Sequence, residues 1–389
     1  MHHLSDILFH LAEDRENYYN AVSPPVIQSS NFAFKDLETF RKIFPNEMEN
    51  HIYTRGNNPT VKILRAKVAA LERAEDALVM SSGAAAIAAA VIANVQAGDH
   101  IVSVKAPYSW TVALLTRFLP RFGVETTFVD GRNLAEIEAA IRPNTRVLYL
   151  ESPNTLTFDL QDLAACTDIC KRHNLTSIID NSHCSPIFQR PIEHGIDVVV
   201  HSATKYLNGH SDVVAGVICS NKPMIQKIFA TEYMTLGAII SPHDANLMIR
   251  GLRTLELRMM RTDESARKIV AFLEKHPKIK RIYYPFSSDN PQLAIAQKQM
   301  SGNGGLLSIE TTAKTIQEAE TFFYALKRFT FAVSWGGHES LIFPTVALYG
   351  IEGRANPPVP FGFARLYIGL EEANWLIEDL NRALNSIGD

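Results

Sequence analysis

Lys205 stands in the stretch SATKYLNGHSD (residues 202–212), directly after the valine-rich run IDVVVHSA, with Ser202 and Thr204 beside it and His201 and His210 nearby. A surface lysine snorkels its head into water along an apolar stem. A lysine in a dry pocket is different, because desolvation lowers its basicity and makes the neutral amine a nucleophile. Asp180 ends a second apolar run, TSIID, where a carboxylate either pairs with a cation or caps a turn. Ser81, Ser82 and Gly83 precede an alanine-rich helical run, and the free N–H groups of a helix start suit a phosphate. Tyr108 follows a third apolar run, HIVSV, in the segment KAPYSW. Singly, each residue has a plainer role: a snorkelling lysine, a turn cap, an N-capped core helix, an aromatic packed at a rim. Together they form a more specific set. An imine-forming amine, a carboxylate for a protonated ring nitrogen, hydroxyls at a helix start and an aromatic cover are the needs of pyridoxal 5'-phosphate.

These residues need a scaffold that brings them to one place. TVKILRAKVAALERA and VALLTRFLPRFG have helical apolar spacing, whereas DALVM, HIVSV, RVLYLE, TSIID and DVVVHSA are short apolar strands. Strands alternating with helices predict an α/β fold with a mostly parallel, doubly wound sheet. Ligands bind such sheets at the carboxyl ends of the strands, which is where MSSGAAA, KAPYSW, ESPNT, DNSH and SATKY all fall. The organisation predicted is an N-terminal arm over 1–48, Pro/Ser-rich in SPPVIQSSNFAF, a large domain over 49–242 and a smaller C-terminal α+β domain over 243–389. In the last, residues 244–276 have the pattern of one long helix, and GLLSIE, FAVSWGG and FARLYIGLE that of strands.

Composition favours small-molecule chemistry. The chain has 389 residues, 46% hydrophobic, and its 38 Lys plus Arg against 41 Asp plus Glu leave a formal net charge of -3, so no overall field favours nucleic acid or an anionic membrane. Four cysteines are too few for a disulfide framework, and the Cys166/Cys170 pair has helix spacing, which fits a reducing cytoplasm. The N-terminal residues carry charges where a signal peptide needs an apolar run. The histidines show no metal-ligand spacing, so no metal is expected.

YTRGNNPT (53–60), SSGAAA, IIDN, SATKYLNGHSD, GLRTLELR and SWGGHESL, in this order and spacing, resemble the Cys/Met-metabolism family of pyridoxal-phosphate enzymes, over nearly the whole chain beyond the arm. The resemblance implies the aspartate aminotransferase-like fold, fold type I, with a seven-stranded-type sheet, and a homotetramer built from two close dimers. It implies that Lys205 forms the imine with the cofactor, that Asp180 pairs with the ring nitrogen, that Tyr108 stacks on the ring, and that Gly83, Ala84, Ser202 and Thr204 hold the phosphate. Tyr53 and Arg55 would reach in from a neighbouring subunit, Arg55 to the phosphate and Tyr53 towards the substrate. Arg365 corresponds to the arginine for the substrate carboxylate, with Ser334 and Trp335 near it; a guanidinium holds a carboxylate by two parallel N–H bonds. His201 and His210 match no family role.

The motifs lean towards β-elimination of L-cystathionine, as in the bacterial cystathionine β-lyase branch, giving homocysteine, pyruvate and ammonia. Trp335 follows Ser334 where γ-acting members commonly have SLGG, and ESPNTL departs from the usual ESPTNP by placing Thr155 at an asparagine position. Glu339 matches a glutamate found in γ-acting relatives too, and His338 replaces an aromatic or aliphatic residue. The alternative is the γ-chemistry of the same family, as a cystathionine γ-lyase, a γ-synthase or a methionine γ-lyase.

Overall fold

The computed structural model describes residues 2–352, 356, 357 and 359–388. Its larger sheet has seven strands, β1 (Asp76–Met80), β2 (His100–Val104), β3 (Glu125–Val129), β4 (Thr145–Glu151), β5 (Thr176–Asp180), β6 (Val198–Ser202) and β7 (Gly216–Ser220), in the spatial order β1-β7-β6-β5-β4-β2-β3. Neighbours from β6 to β3 are parallel, and β7 is antiparallel to both β6 and β1. Alternation along each strand feeds two cores. Val79, Leu150, Ile179 and Val199 face one, while Leu78, Tyr149, Ile178 and Val200 face the other. A strand covered on both sides needs apolar residues at every position, which is why DALVM and TSIID have unbroken runs rather than alternation.

The first core is closed by α1 (Leu4–Phe9) and α2 (Pro59–Glu72). Asn58 caps α2 by accepting from the Thr60 N–H at 2.9 Å, and Pro59 suits the first turn because its missing N–H would have no partner there. The chain before residue 20 is tied to this body. The amine of Lys67, 0% exposed on α2, donates to the carbonyls of Ile7 and Leu8 and meets Glu13 at 3.2 Å. On the opposite face α3 (Gly83–Ile92) lays its alanines against β6 and β7, small side chains letting helix and sheet approach closely.

A second sheet, in the order β10-β11-β12-β9-β8, comprises β8 (Ile279–Tyr283), β9 (Leu306–Thr311), β10 (Thr330–Phe331), β11 (Leu341–Pro344) and β12 (Phe363–Tyr367). Two expectations are corrected here. Residues 244–276 form not one helix but two, Pro242–Leu252 and Leu255–Leu273, parted at Arg253 and Thr254, where Thr254 leaves helical geometry at φ -109° and ψ 7°. FAVSWGG is a loop beyond its first residue, because Ser334 (φ 76°) and Gly336 (φ 91°) adopt left-handed backbone that a strand does not accommodate.

Candidate active site

The carboxyl ends of β4, β5 and β6 open into a cavity of about 830 Å³, roofed by residues of the second sheet. Of the sequence-predicted residues, Gly83, Ala84, Tyr108, Asp180, Ser202, Thr204, Lys205, Ser334, Trp335 and Arg365 all line it. Tyr53 and Arg55 do not. Tyr53 is 46% exposed on a separate loop, bridged to Asn31, with the Arg55 guanidinium 5.6 Å above its ring.

Lys205 sits in the turn after β6, its N–H bonded to the Ser202 carbonyl at 3.0 Å. Gly336 packs against its backbone so closely that a Cβ there would stand 2.9 Å from the Lys205 carbonyl carbon. The lysine amine donates to the Ser334 hydroxyl and lies 5.7 Å from the centre of the Trp335 ring. Burial, then the positive charge of Arg365, lower its pKa to about 8 despite the opposing pull of Asp180. The neutral amine is therefore within reach of ordinary pH.

Asp180, the last residue of β5, accepts from the N–H and the hydroxyl of Ser182 at 2.9 and 2.5 Å. Burial raises its pKa, while those two bonds and the charges of His201 and Lys205 work against the rise. At the start of α3, Ser82 caps the helix by accepting from the Ala85 N–H at 3.1 Å. Gly83 is obligatory for space, since a Cβ there would sit 2.7 Å from Cβ of Ser202. Of the two hydroxyls flanking Lys205, that of Thr204 is taken up by the backbone of Ala215, donating at 3.2 Å and accepting at 3.0 Å. That of Ser202 has no such bond among the described residues and lines the cavity. A helix start, a glycine that only its own smallness fits and an uncommitted hydroxyl make a cradle for a phosphate.

Arg365 projects from the middle of β12. Its guanidinium donates to the backbone carbonyl and hydroxyl of Thr155 at 3.3 and 3.2 Å and approaches the Ser334 carbonyl at 3.5 Å. Burial pulls its pKa down to about 10, yet at neutral pH it remains a cation held in one orientation. Thr155, which takes the place of the asparagine in the ESPTNP pattern, thus braces this arginine. Tyr108 is the cap residue at the start of the short helix Ser109–Ala113, and burial, then the charge of Asp180, keeps its hydroxyl protonated.

Glu151, Ser182 and His183 also line the cavity, though only their place at strand ends marks them in the sequence. Glu151 accepts from the Tyr108 N–H at 2.7 Å. His183 pairs through Nε2 with the side-chain Oδ1 of Asn303 at 2.8 Å, and burial drives its pKa down to about 4, so the ring is neutral. The two histidines flanking Lys205 stay outside: His201 meets Glu72 at 2.5 Å, both 1% exposed, and His210 donates to the Asn208 carbonyl at 2.8 Å.

The model of the family described as Cys/Met metabolism PLP-dependent enzyme matches residues 6–385. An L-methionine gamma-lyase of Pseudomonas deceptionensis is 42% identical over 94% of this chain and 93% of its own. From Bacillus subtilis, a cystathionine gamma-lyase is 39% identical over 94% of this chain and 95% of its own, and a cystathionine beta-lyase is 34% identical over 94% and 92%. Among solved structures, cystathionine gamma-lyase from Lactobacillus plantarum complexed with L-serine superposes with a TM-score of 0.90 at 34% identity, covering 99% of both chains. The seven-stranded sheet with its second sheet is accordingly fold type I. Lysine, carboxylate and phosphate cradle meet in one cavity of a chain matched from end to end, and the protein belongs to the Cys/Met metabolism family of pyridoxal-phosphate-dependent enzymes.

Proposed function

We propose that the protein is a pyridoxal-phosphate-dependent carbon–sulfur lyase that removes the γ-substituent of L-methionine and related thioethers. The observation that carries this reading is the distribution of charge around the cavity. Among the described residues its lining holds no Lys, Arg, Asp or Glu beyond Lys205, Asp180, Glu151 and Arg365, and it includes the apolar side chains of Val112, Val214, Val333, Leu348 and Val359. An amino acid anchored at Arg365 would lay an uncharged sulfur substituent against those apolar walls. The relatives of higher identity, named as γ-lyases, support the same reading and make β-elimination the weaker expectation.

In this reading Lys205 carries the cofactor through Nζ, Asp180 faces its ring nitrogen, Tyr108 covers the ring, and Gly83, Ala84 and Ser202 hold the phosphate, while Thr204, expected to join them, has its hydroxyl committed to the Ala215 backbone. Pyridoxal phosphate, when bound, supplies a sink for the electron pair left at Cα. Arg365 orients the substrate by its α-carboxylate. Lys205 Nζ, freed by the substrate amine, takes the proton from Cα, and γ-chemistry requires it to take a second from Cβ. The Tyr108 hydroxyl, kept as a phenol, holds a proton for the departing sulfur. Arg55 and Tyr53 act from a second copy of the chain, at the phosphate and near the substrate. Trp335, packed between Tyr206 and His183 behind the lysine, favours the second reading, β-elimination of cystathionine.

Product analysis separates the two. Cofactor-loaded protein given L-methionine should release methanethiol and 2-oxobutanoate, and given L-cystathionine should release 2-oxobutanoate rather than pyruvate. Pyruvate from cystathionine with methionine untouched establishes the β-lyase instead.

A further inference from the structure

Glu151 ends β4, and its register partner on the neighbouring parallel strand is Asp180, which ends β5. Side chains at matched positions of parallel neighbours leave the sheet on the same face, so the two carboxyl groups stand side by side above the strand ends. Glu151 is 5% exposed and Asp180 6%. Among the described residues neither is in an ion pair. The N–H groups of Arg365 are directed at Thr155 and Ser334, and the amine of Lys205 at Ser334.

Two adjacent buried carboxyls without a contacting cation cannot both hold a negative charge. Each accepts two hydrogen bonds, so the surrounding charges decide which one does: Asp180 has His201 and Lys205 near it, Glu151 only Arg365. Asp180 accepts both the N–H and the O–H of Ser182, an arrangement made for an anion, and it also feels His201 from beneath the sheet. Glu151 has the Tyr108 N–H at 2.7 Å and that of Thr155, against burial and the charge of Asp180, and the balance pushes its proton affinity well up. The other groups facing it are Arg365 on β12, which favours ionisation, the Tyr108 phenol and Tyr149, whose hydroxyl is 3.4 Å from that of Thr111.

We propose that Glu151 is a positioning residue that works as a neutral carboxylic acid: through Oε2 it fixes the Tyr108 backbone, and with it the aromatic cover, while leaving the negative charge of the site to Asp180. A charged residue here would compete with Asp180 for any cationic ring nitrogen, and an apolar one would release Tyr108. The proposal deepens the lyase reading, on which it rests for the choice of assay substrate alone.

The experiment pairs a kinetic rescue with a spectrum. Glu151→Ala should lower kcat/KM for the turned-over thioether at least thirtyfold, and Glu151→Gln, which offers Tyr108 an acceptor oxygen without charge, should restore it to within about threefold of wild type, with the acid limb of the pH profile unmoved. Infrared spectra of the cofactor-loaded protein should show the carbonyl stretch of a protonated carboxyl that disappears in Glu151→Gln and persists in Asp180→Asn. A Glu151→Gln enzyme as impaired as Glu151→Ala, or no protonated band to lose, overturns the proposal. The spectrum decides even where Glu151→Ala does not fold. Wild-type protein without lyase activity would sink the function while leaving the infrared result to judge Glu151.

Discussion

At the scale of single residues the cavity is a device for making one amine less basic. Lys205 loses solvent and faces Arg365, and the nearby Asp180 only partly compensates. Below pH about 8 both folded and unfolded chains hold this proton, and between about 8 and the unfolded value of 10.5 only the unfolded chain does. The buried cation therefore costs stability below about pH 8, and the cost is relieved as pH rises through that window. The apo protein should accordingly capture pyridoxal phosphate faster as pH rises, levelling above about 8, as followed by absorbance. Lys205→Met should abolish covalent capture and raise the apo melting temperature at pH 7. Lys205 and Asp180 are legible in the sequence only as a set, because an amine and a carboxylate at the ends of apolar runs, with hydroxyls at a helix start, match the needs of one cofactor. Glu151 is not, since ESP has the appearance of an ordinary strand end and only the register with β5 brings its carboxyl to that of Asp180.

At the scale of elements, the phosphate cradle is a contact between two strand-end turns. Gly83 opens α3 against Ser202 at the end of β6, with no room for a methyl group. Gly83→Ala should force the two apart, cost about 1–3 kcal/mol in denaturant unfolding and weaken pyridoxal phosphate binding at least tenfold by equilibrium titration. Those strands had sharp boundaries in the sequence because each is a short apolar run between turn residues. Strands β3 and β7 escaped notice: ETTFV lies at the sheet edge with several half-exposed positions, and GVICS runs antiparallel in a region where strand-helix alternation predicts a parallel strand. FAVSWGG carries the apolar alternation of a strand in Phe331, Val333 and Trp335, and the left-handed backbone that makes it a loop has no sequence mark beyond the glycines.

At the scale of the whole molecule, the single chain leaves Tyr53 and Arg55 on an exposed loop away from the cavity. The proposal that they serve a second copy has a direct test. Lys205→Ala and Arg55→Ala proteins, each of low activity alone, should regain activity when unfolded together and refolded as a mixture, because a hybrid pair contains one intact site. Recovery absent from the mixture, with pairs shown to form, argues for sites complete within one chain. No sequence pattern within one chain reveals such sharing, which is why only the resemblance suggested it.

The lysine stands on the large sheet, whereas the hydroxyl that accepts its hydrogen bond and the arginine that repels it hang from the small one. Its basicity is thus set at a seam. A substrate carboxylate that neutralises Arg365 removes one of the two causes that hold the amine's basicity down and leaves burial as the other, so mutations along the seam, remote from any reacting atom, should change the pH dependence of turnover more than its maximum.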